Sequence, residues 1–152
     1  MVEMGKKFLK RIMYLFIAVV FCIVGFIVSL HTVFLWFESI QLKNYYSEKE
    51  VYVTVSGEVE WLNFGEDGLF LTFQEELTEP YEHYTFGIKG KSFDLLLEKN
   101  IKNRLHKGDK VEFMTAPRYF GDGYIMPIVS LTVNGEVLLE FEDGYANLLE
   151  DL

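Results

Sequence analysis

Residues Val53 to Phe73 read VTVSGEVEWLNFGEDGLFLTF. Its first part, taken with the two residues before it as Val51 to Trp61, alternates apolar and polar side chains with a period of two, which predicts a half-buried strand. Val51, Val53, Val55, Val59 and Trp61 are expected to point to one side, and Tyr52, Thr54, Ser56, Glu58 and Glu60 to the other. Gly57 falls in the inward register, where a missing side chain permits a sharp bend or a bulge. Gly65-Glu66-Asp67-Gly68 predicts a hairpin turn. Leu69 to Gln74 follows as a second strand, with Leu71 and Phe73 inward and Phe70, Thr72 and Gln74 outward.

Downstream the period changes and changes back. His83 to Ile88 reads as a third strand, with Thr85, Gly87 and Lys89 outward. Between Ser92 and Leu105, residues Phe93, Leu97, Ile101 and Leu105 lie four apart, the spacing of a helix face, with Ser92 as its N-cap and Gly108 soon after its end. Lys110 to Thr115 and Tyr124 to Val133 supply two further strands. Asn134-Gly135 is a strong hairpin signal, and Val137 to Phe141 is expected to pair across it. Residues 144–152 form a short acidic tail.

Upstream the chemistry is different. Ile12 to Phe37 is a run of 26 residues without Asp, Glu, Lys or Arg. As a helix it spans about 39 Å at about 1.5 Å per residue, enough to cross a bilayer core of about 30 Å with some tilt. Lys6, Lys7, Lys10 and Arg11 precede it, so the positive-inside rule places the leader (1–11) in the cytoplasm and everything after the span outside. The apolar core is too long for a cleaved signal peptide and no small-x-small site follows it, so an uncleaved signal-anchor is expected. Residues 38–50 read as a tether between the transmembrane helix (12–37) and an extracytoplasmic domain (51–143). Cys22, the sole cysteine, lies inside the span, so the outer domain has no disulfide and rests on its apolar core. The chain has no Asn-x-Ser/Thr sequon, which favours a bacterial source.

Within the span, Ala18, Cys22, Gly25, Ser29 and Thr32 fall within about an 80° arc of a helix. Small residues let two helices approach closely in lipid, where packing drives association. This face is a candidate surface for another helix, from a second copy or a protein partner; equally, small residues face lipid harmlessly.

The order strand, strand, strand, helix, strand, strand, with one added strand, suits a small closed barrel in which the long first strand serves both layers. Val53 to Phe73 resembles the opening hairpin of oligonucleotide/oligosaccharide-binding (OB) folds. LHKGDKVEF, from Leu105 to Phe113, resembles their passage from helix to fourth strand. The resemblance implies a mostly β fold with an OB-like closed barrel, and a binding face on the second and third strands and the loops beside them. It implies no activity. The whole chain also resembles small single-pass membrane proteins of Gram-positive bacteria, and no function is carried over from them.

Charge and motifs narrow the function. Residues 38–152 carry 22 acidic and 10 basic groups, a net of −12. Such a surface repels nucleic acid, and the outward strand positions offer one aromatic, Phe70, and one lysine where single-strand binding needs several stacking rings and a basic groove. No cofactor and no metal is expected. The three histidines are far apart, and Glu75, Glu76, Glu79 and Glu82 lack the spacing of a calcium loop. No serine sits in a nucleophile elbow, and no glycine loop has the pattern that cradles phosphate, so no catalytic residue is assigned.

The remaining candidate is PRYFGDGYIMP, Pro117 to Pro127. Its glycines and prolines suit a tight reversal between two strands. That reversal does not require Arg118, Tyr119, Phe120 and Tyr124 together. Exposed aromatics beside an arginine are typical of protein contact sites; folded over one mouth of the barrel, the same rings would be satellite core. The expectation is a membrane-anchored binding or scaffolding module that contacts an envelope protein or ligand through these four residues, with Phe70 in support. The alternative is an envelope enzyme or polysaccharide-binding protein using the same barrel face.

Overall fold

A computed structural model describes residues 2–73, 84–117 and 125–152, with side chains from Met13 onward. The chain divides into two units, residues 1–42 and 43–152.

The first unit is made by helix α1 (Val2–Tyr46), whose last turn belongs to the second unit. The helix from Met13 to Tyr46 is long and apolar enough to cross a membrane; its most apolar 18 residues have a mean hydropathy of 2.8 and none of them is buried. The helix does not stop at the first charges after the apolar run. Glu38 to Tyr46 contains no Gly or Pro to end it, so residues expected to form a tether continue the helix.

The second unit holds strands β1 (Val53–Phe64), β2 (Gly68–Phe73), β3 (Thr85–Lys89), β4 (Lys110–Thr115), β5 (Ile125–Val133) and β6 (Glu136–Leu139). Helix α2 (Gly90–Glu98) separates β3 from β4, and helix α3 (Phe141–Asp151) follows β6. The strand order is β3-β2-β1-β4-β5-β6, and every pairing along it is antiparallel. β3 also pairs in parallel with β5, Thr85 with Ile125, Phe86 with Met126 and Gly87 with Pro127. A mostly β composition holds only for this unit; over the whole chain helix outweighs strand, because α1 alone runs for 45 residues.

β1 serves two partners. Val53 to Glu58 pair with β4, and Val59 to Phe64 with β2. The expected irregularity at Gly57 is not where the strand departs from register: Gly57 pairs regularly with Val111, and the bulge lies between Val59 and Trp61. Val59 satisfies both backbone groups on the turn before β4, donating to Asp109 O at 3.0 Å and accepting from Gly108 N at 2.8 Å. The extra residue, Glu60, turns every later side chain over. Val55 and Val59 face the core before it, and Leu62 and Phe64 pack against the core after it. Trp61, expected inside, is 49% exposed.

The main core gathers Leu69, Leu71 and Phe73 with Phe86 and Ile88, α2's Phe93 and Leu96, Phe113 of β4, and Leu131 and Val133 of β5. Phe73, Phe86 and Phe113 form a ring cluster, with Phe73 and Phe113 stacked at 4.9 Å. Burying each such side chain stabilises the fold by about 1.5–3 kcal/mol. The expected helix over Ser92–Leu105 is shorter in the structure. α2 spans Gly90–Glu98, then Asn100 adopts φ +60° and a 3₁₀ turn carries Ile101 and Leu105 into the core. Asparagine tolerates that left-handed conformation, so it can break the helix without breaking the apolar face. Ser92 is not the N-cap but a buried residue of the first turn, within 3.2 Å of Asn147 Nδ2, which donates to its hydroxyl.

α3 makes a second, smaller core outside the sheet. Tyr46, Tyr52, Val129 and Leu148 are buried there, apart from the main cluster. Phe141 and Tyr145 pack their rings edge-on against Tyr52. The Tyr52 hydroxyl donates to Tyr46 O at 2.9 Å, and that of Tyr145 to Ser47 O at 2.7 Å. Lys49 Nζ bonds both Glu142 carboxylate oxygens at 2.7 Å. Thus the strand expected over Val137–Phe141 ends at Leu139, and the acidic residues beyond it form a helix whose apolar side covers β5 and residues 46–52.

Candidate binding face

The Glu60 bulge gives the sheet an outer face with two aromatic residues instead of one. Cross-strand partners point to the same side, so Trp61 joins Thr72 and Asn63 joins Phe70. Phe70 in turn lies opposite Gly87 of β3. Trp61 and Phe70 are therefore diagonal neighbours, about 7–8 Å apart at their backbones, within reach of one ligand ring or side chain on each.

Phe70 is half-buried because small and cationic neighbours surround its ring. A Cβ on Gly87 would lie 3.3 Å from the ring and 2.8 Å from Ile125 Cγ2, so only glycine fits between them. Lys89 places Nζ 5.6 Å from the ring centroid, a cation–π geometry. The ring is held from below and from one side, while Trp61 beside it is half exposed. The polar groups next to these rings are the Asn63 amide and the Thr72 hydroxyl.

Of the residues expected to make contacts, Phe70 lies on this face. Arg118, Tyr119, Phe120 and Tyr124 lie outside the described residues. Ile125, the residue after Tyr124, packs at Gly87 beside Phe70, so the chain following those four residues enters the sheet at this face. Pro127 sits where β5 passes from its partner β3 to its partner β4, next to the register shift at Thr115 and Ile128. On α1, the small residues Ala18, Cys22, Gly25, Ser29 and Thr32 are all exposed. The hydroxyls of Ser29 and Thr32 donate to Gly25 O and Val28 O, each at 2.9 Å, so neither needs a partner outside its own helix.

Sequence reasoning missed Trp61 by extending one alternation through the bulge. A signal was there: apolar residues fall on odd numbers through Val59 and then on even ones at Leu62 and Phe64, which requires one extra residue between them.

Titration shifts lie away from this face. The Asp109 carboxyl is lowered by the Asn134 amide, which donates to Oδ1 at 3.0 Å, against a smaller opposing effect of burial and with help from the His106 N–H at 2.7 Å. Burial, then the neighbouring Tyr145 and Tyr45, push the Tyr52 hydroxyl well above the ordinary tyrosine value. Among the described residues no three His, Cys, Asp or Glu side chains converge as metal ligands would. No protein-family model matches the chain, and comparison with curated proteins and with solved structures gives no match.

Proposed function

We propose that this protein is a membrane-anchored, extracytoplasmic binding or scaffolding module. Its OB-like barrel would contact an envelope protein or ligand through the outer face of β1, β2 and β3. The carrying observation is Trp61: a large aromatic side chain, half exposed on a sheet face beside the fixed ring of Phe70. Aromatic anchors of this kind dominate contact energies because they remove much apolar area at little entropic cost. The parallel β3–β5 pairing supports closure of the sheet into the barrel, and the lysine-rich leader before α1 supports the outward orientation.

Crosslinking and affinity purification of the full chain from native membranes tests the proposal. Trp61→Ala, Phe70→Ala, and the joint replacement of Arg118, Tyr119, Phe120 and Tyr124 by Ala should each keep the β-sheet circular dichroism and reduce partner recovery at least tenfold. Unchanged recovery in all three would remove the proposal.

A polysaccharide reading of the same face has one observation in its favour. Trp61 is flanked by the neutral groups Asn63 and Thr72, which suit a sugar ring stacked on indole and bonded at its hydroxyls. Retention on an immobilised envelope glycan, lost in Trp61→Ala, would favour it. The net charge of −12 over residues 38–152 disfavours nucleic acid.

A further inference from the structure

The domain is acidic, yet five of the ten basic residues after the apolar run fall between Lys99 and Lys110. One of the five, Arg104, lines a groove that shares no residue with the Trp61 face, and a second, Lys99, bonds the carbonyl of the lining residue Leu138. The groove has a volume of about 240 Å³ and is lined by Arg104, Val133, Asn134, Glu136 and Leu138. The core residues Val133 and Leu138, 5% and 1% exposed, lie at its floor. Sites for whole small molecules run to about 300–1,000 Å³, so this one has room for a side chain or two rather than for a cofactor.

Among the described residues, Lys99 is held by a neutral carbonyl alone, whereas Arg104 bonds a carbonyl and also carries one exposed carboxylate partner. Lys99 Nζ donates to Leu138 O at 2.7 Å, and Arg104 Nη1 donates to Lys99 O at 3.4 Å. Both bonds end on neutral carbonyls. The one carboxylate lining the groove among the described residues, Glu136, pairs with Arg104 Nη2. Glu136 sits on β6 with its side chain 66% exposed, whereas that of Arg104 is 32% exposed. An exposed pair of this kind contributes only about 0–1 kcal/mol, so another carboxylate can replace it at little cost. The pair also demonstrates that the guanidinium accepts a carboxylate from this direction.

We infer that this groove docks an acidic peptide segment of a partner protein, with an apolar side chain on Val133 and Leu138 and a carboxylate displacing Glu136 from Arg104. Charge complementarity selects the occupant. An acidic segment is repelled by most of this domain and attracted here, which gives register as well as attraction. The apolar floor favours a peptide over a uniformly charged polymer.

The test uses the full chain in a non-ionic detergent and a fluorescein-labelled octapeptide of alternating Glu and Leu, read by anisotropy. Glu136→Gln removes the competing carboxylate and should tighten binding several-fold. Arg104→Gln should weaken it at least tenfold, and rising salt should weaken it in the parent protein. Trp61→Ala should leave it unchanged, which separates this site from the sheet face. The inference is overturned if Glu136→Gln leaves affinity the same, or if a Gln–Leu peptide binds equally well. It is also overturned if inorganic polyphosphate of equal charge displaces the peptide more strongly than unlabelled peptide does, which would mark a general anion site.

Discussion

Gly144 is the residue on which α3 rests. A Cβ there would run into the Val129 carbonyl and its neighbouring backbone atoms, which cannot turn aside as a side chain could. Gly144→Ala should therefore destabilise the domain by about 3 kcal/mol through overpacking, although alanine favours helices; thermal melting of the variant checks this, and an unchanged melting temperature would contradict the contact. Asp109 is the second decisive residue, because one carboxylate ties the 106–109 turn to Asn134 of the last hairpin. Its pKa is lower folded than unfolded, so the unfolded state binds the proton more tightly. The stabilisation is complete above the unfolded value of about 3.9 and is lost as pH falls through the folded one. Melting curves between neutral pH and pH 2 should show a steeper acid loss in the parent than in Asp109→Asn. Parallel curves would mean that the carboxylate contributes nothing.

At the scale of elements, β1 decides the outer face. Its two halves belong to different sheet neighbours, and the bulge at Glu60 separates their registers. Simple alternation ranks Trp61 as core and Leu62 as surface; the bulge reverses that order. Leu62→Ala should cost about 2 kcal/mol, since it uncovers a side chain packed on the main core. Trp61→Ala should stay within about 0.5 kcal/mol of the parent, as surface substitutions do. Denaturant titration of both variants distinguishes the registers. The hairpin turns and the succession of strands along the chain were legible, because turn residues and apolar periods are local properties of the chain. Of the expected helix face, Phe93, Ile101 and Leu105 are buried, but Leu97 is 38% exposed and Leu96 takes its place in the core. The break of α2 at Asn100 was not legible, since a left-handed asparagine preserves the apolar spacing on either side of it. Nor was α3's role: Gly144 reads as a helix-weakening residue until the strand beneath it is known.

For the whole molecule, the proposed function turns on α1 crossing a membrane and on the side on which residues 43–152 then lie. With the basic leader inside, protease added to intact cells should remove this domain, and an antibody to the leader should detect a shortened fragment. Survival in intact cells together with loss in permeabilised ones would invert the topology and, with it, the extracytoplasmic function proposed above. The small-residue face of α1 makes a separate prediction. If it packs on another helix, Gly25→Leu should abolish a crosslinked dimer or co-purified partner, because a Leu side chain holds the backbones apart. An unchanged crosslinking pattern would leave that face to lipid.

The amino-acid sequence by itself determined the apolar helix, the strands and the helix among them, and the acidity that weighs against nucleic acid. Each of these follows from composition or from a period only a few residues long. Tertiary structure alone decided which side chains meet: the parallel pairing of β3 with β5, the seating of α3 on β5 through Gly144, and the Arg104 groove beside the last hairpin. Those contacts join residues far apart along the chain. Their geometry is set by close packing of the whole domain, which no local pattern encodes.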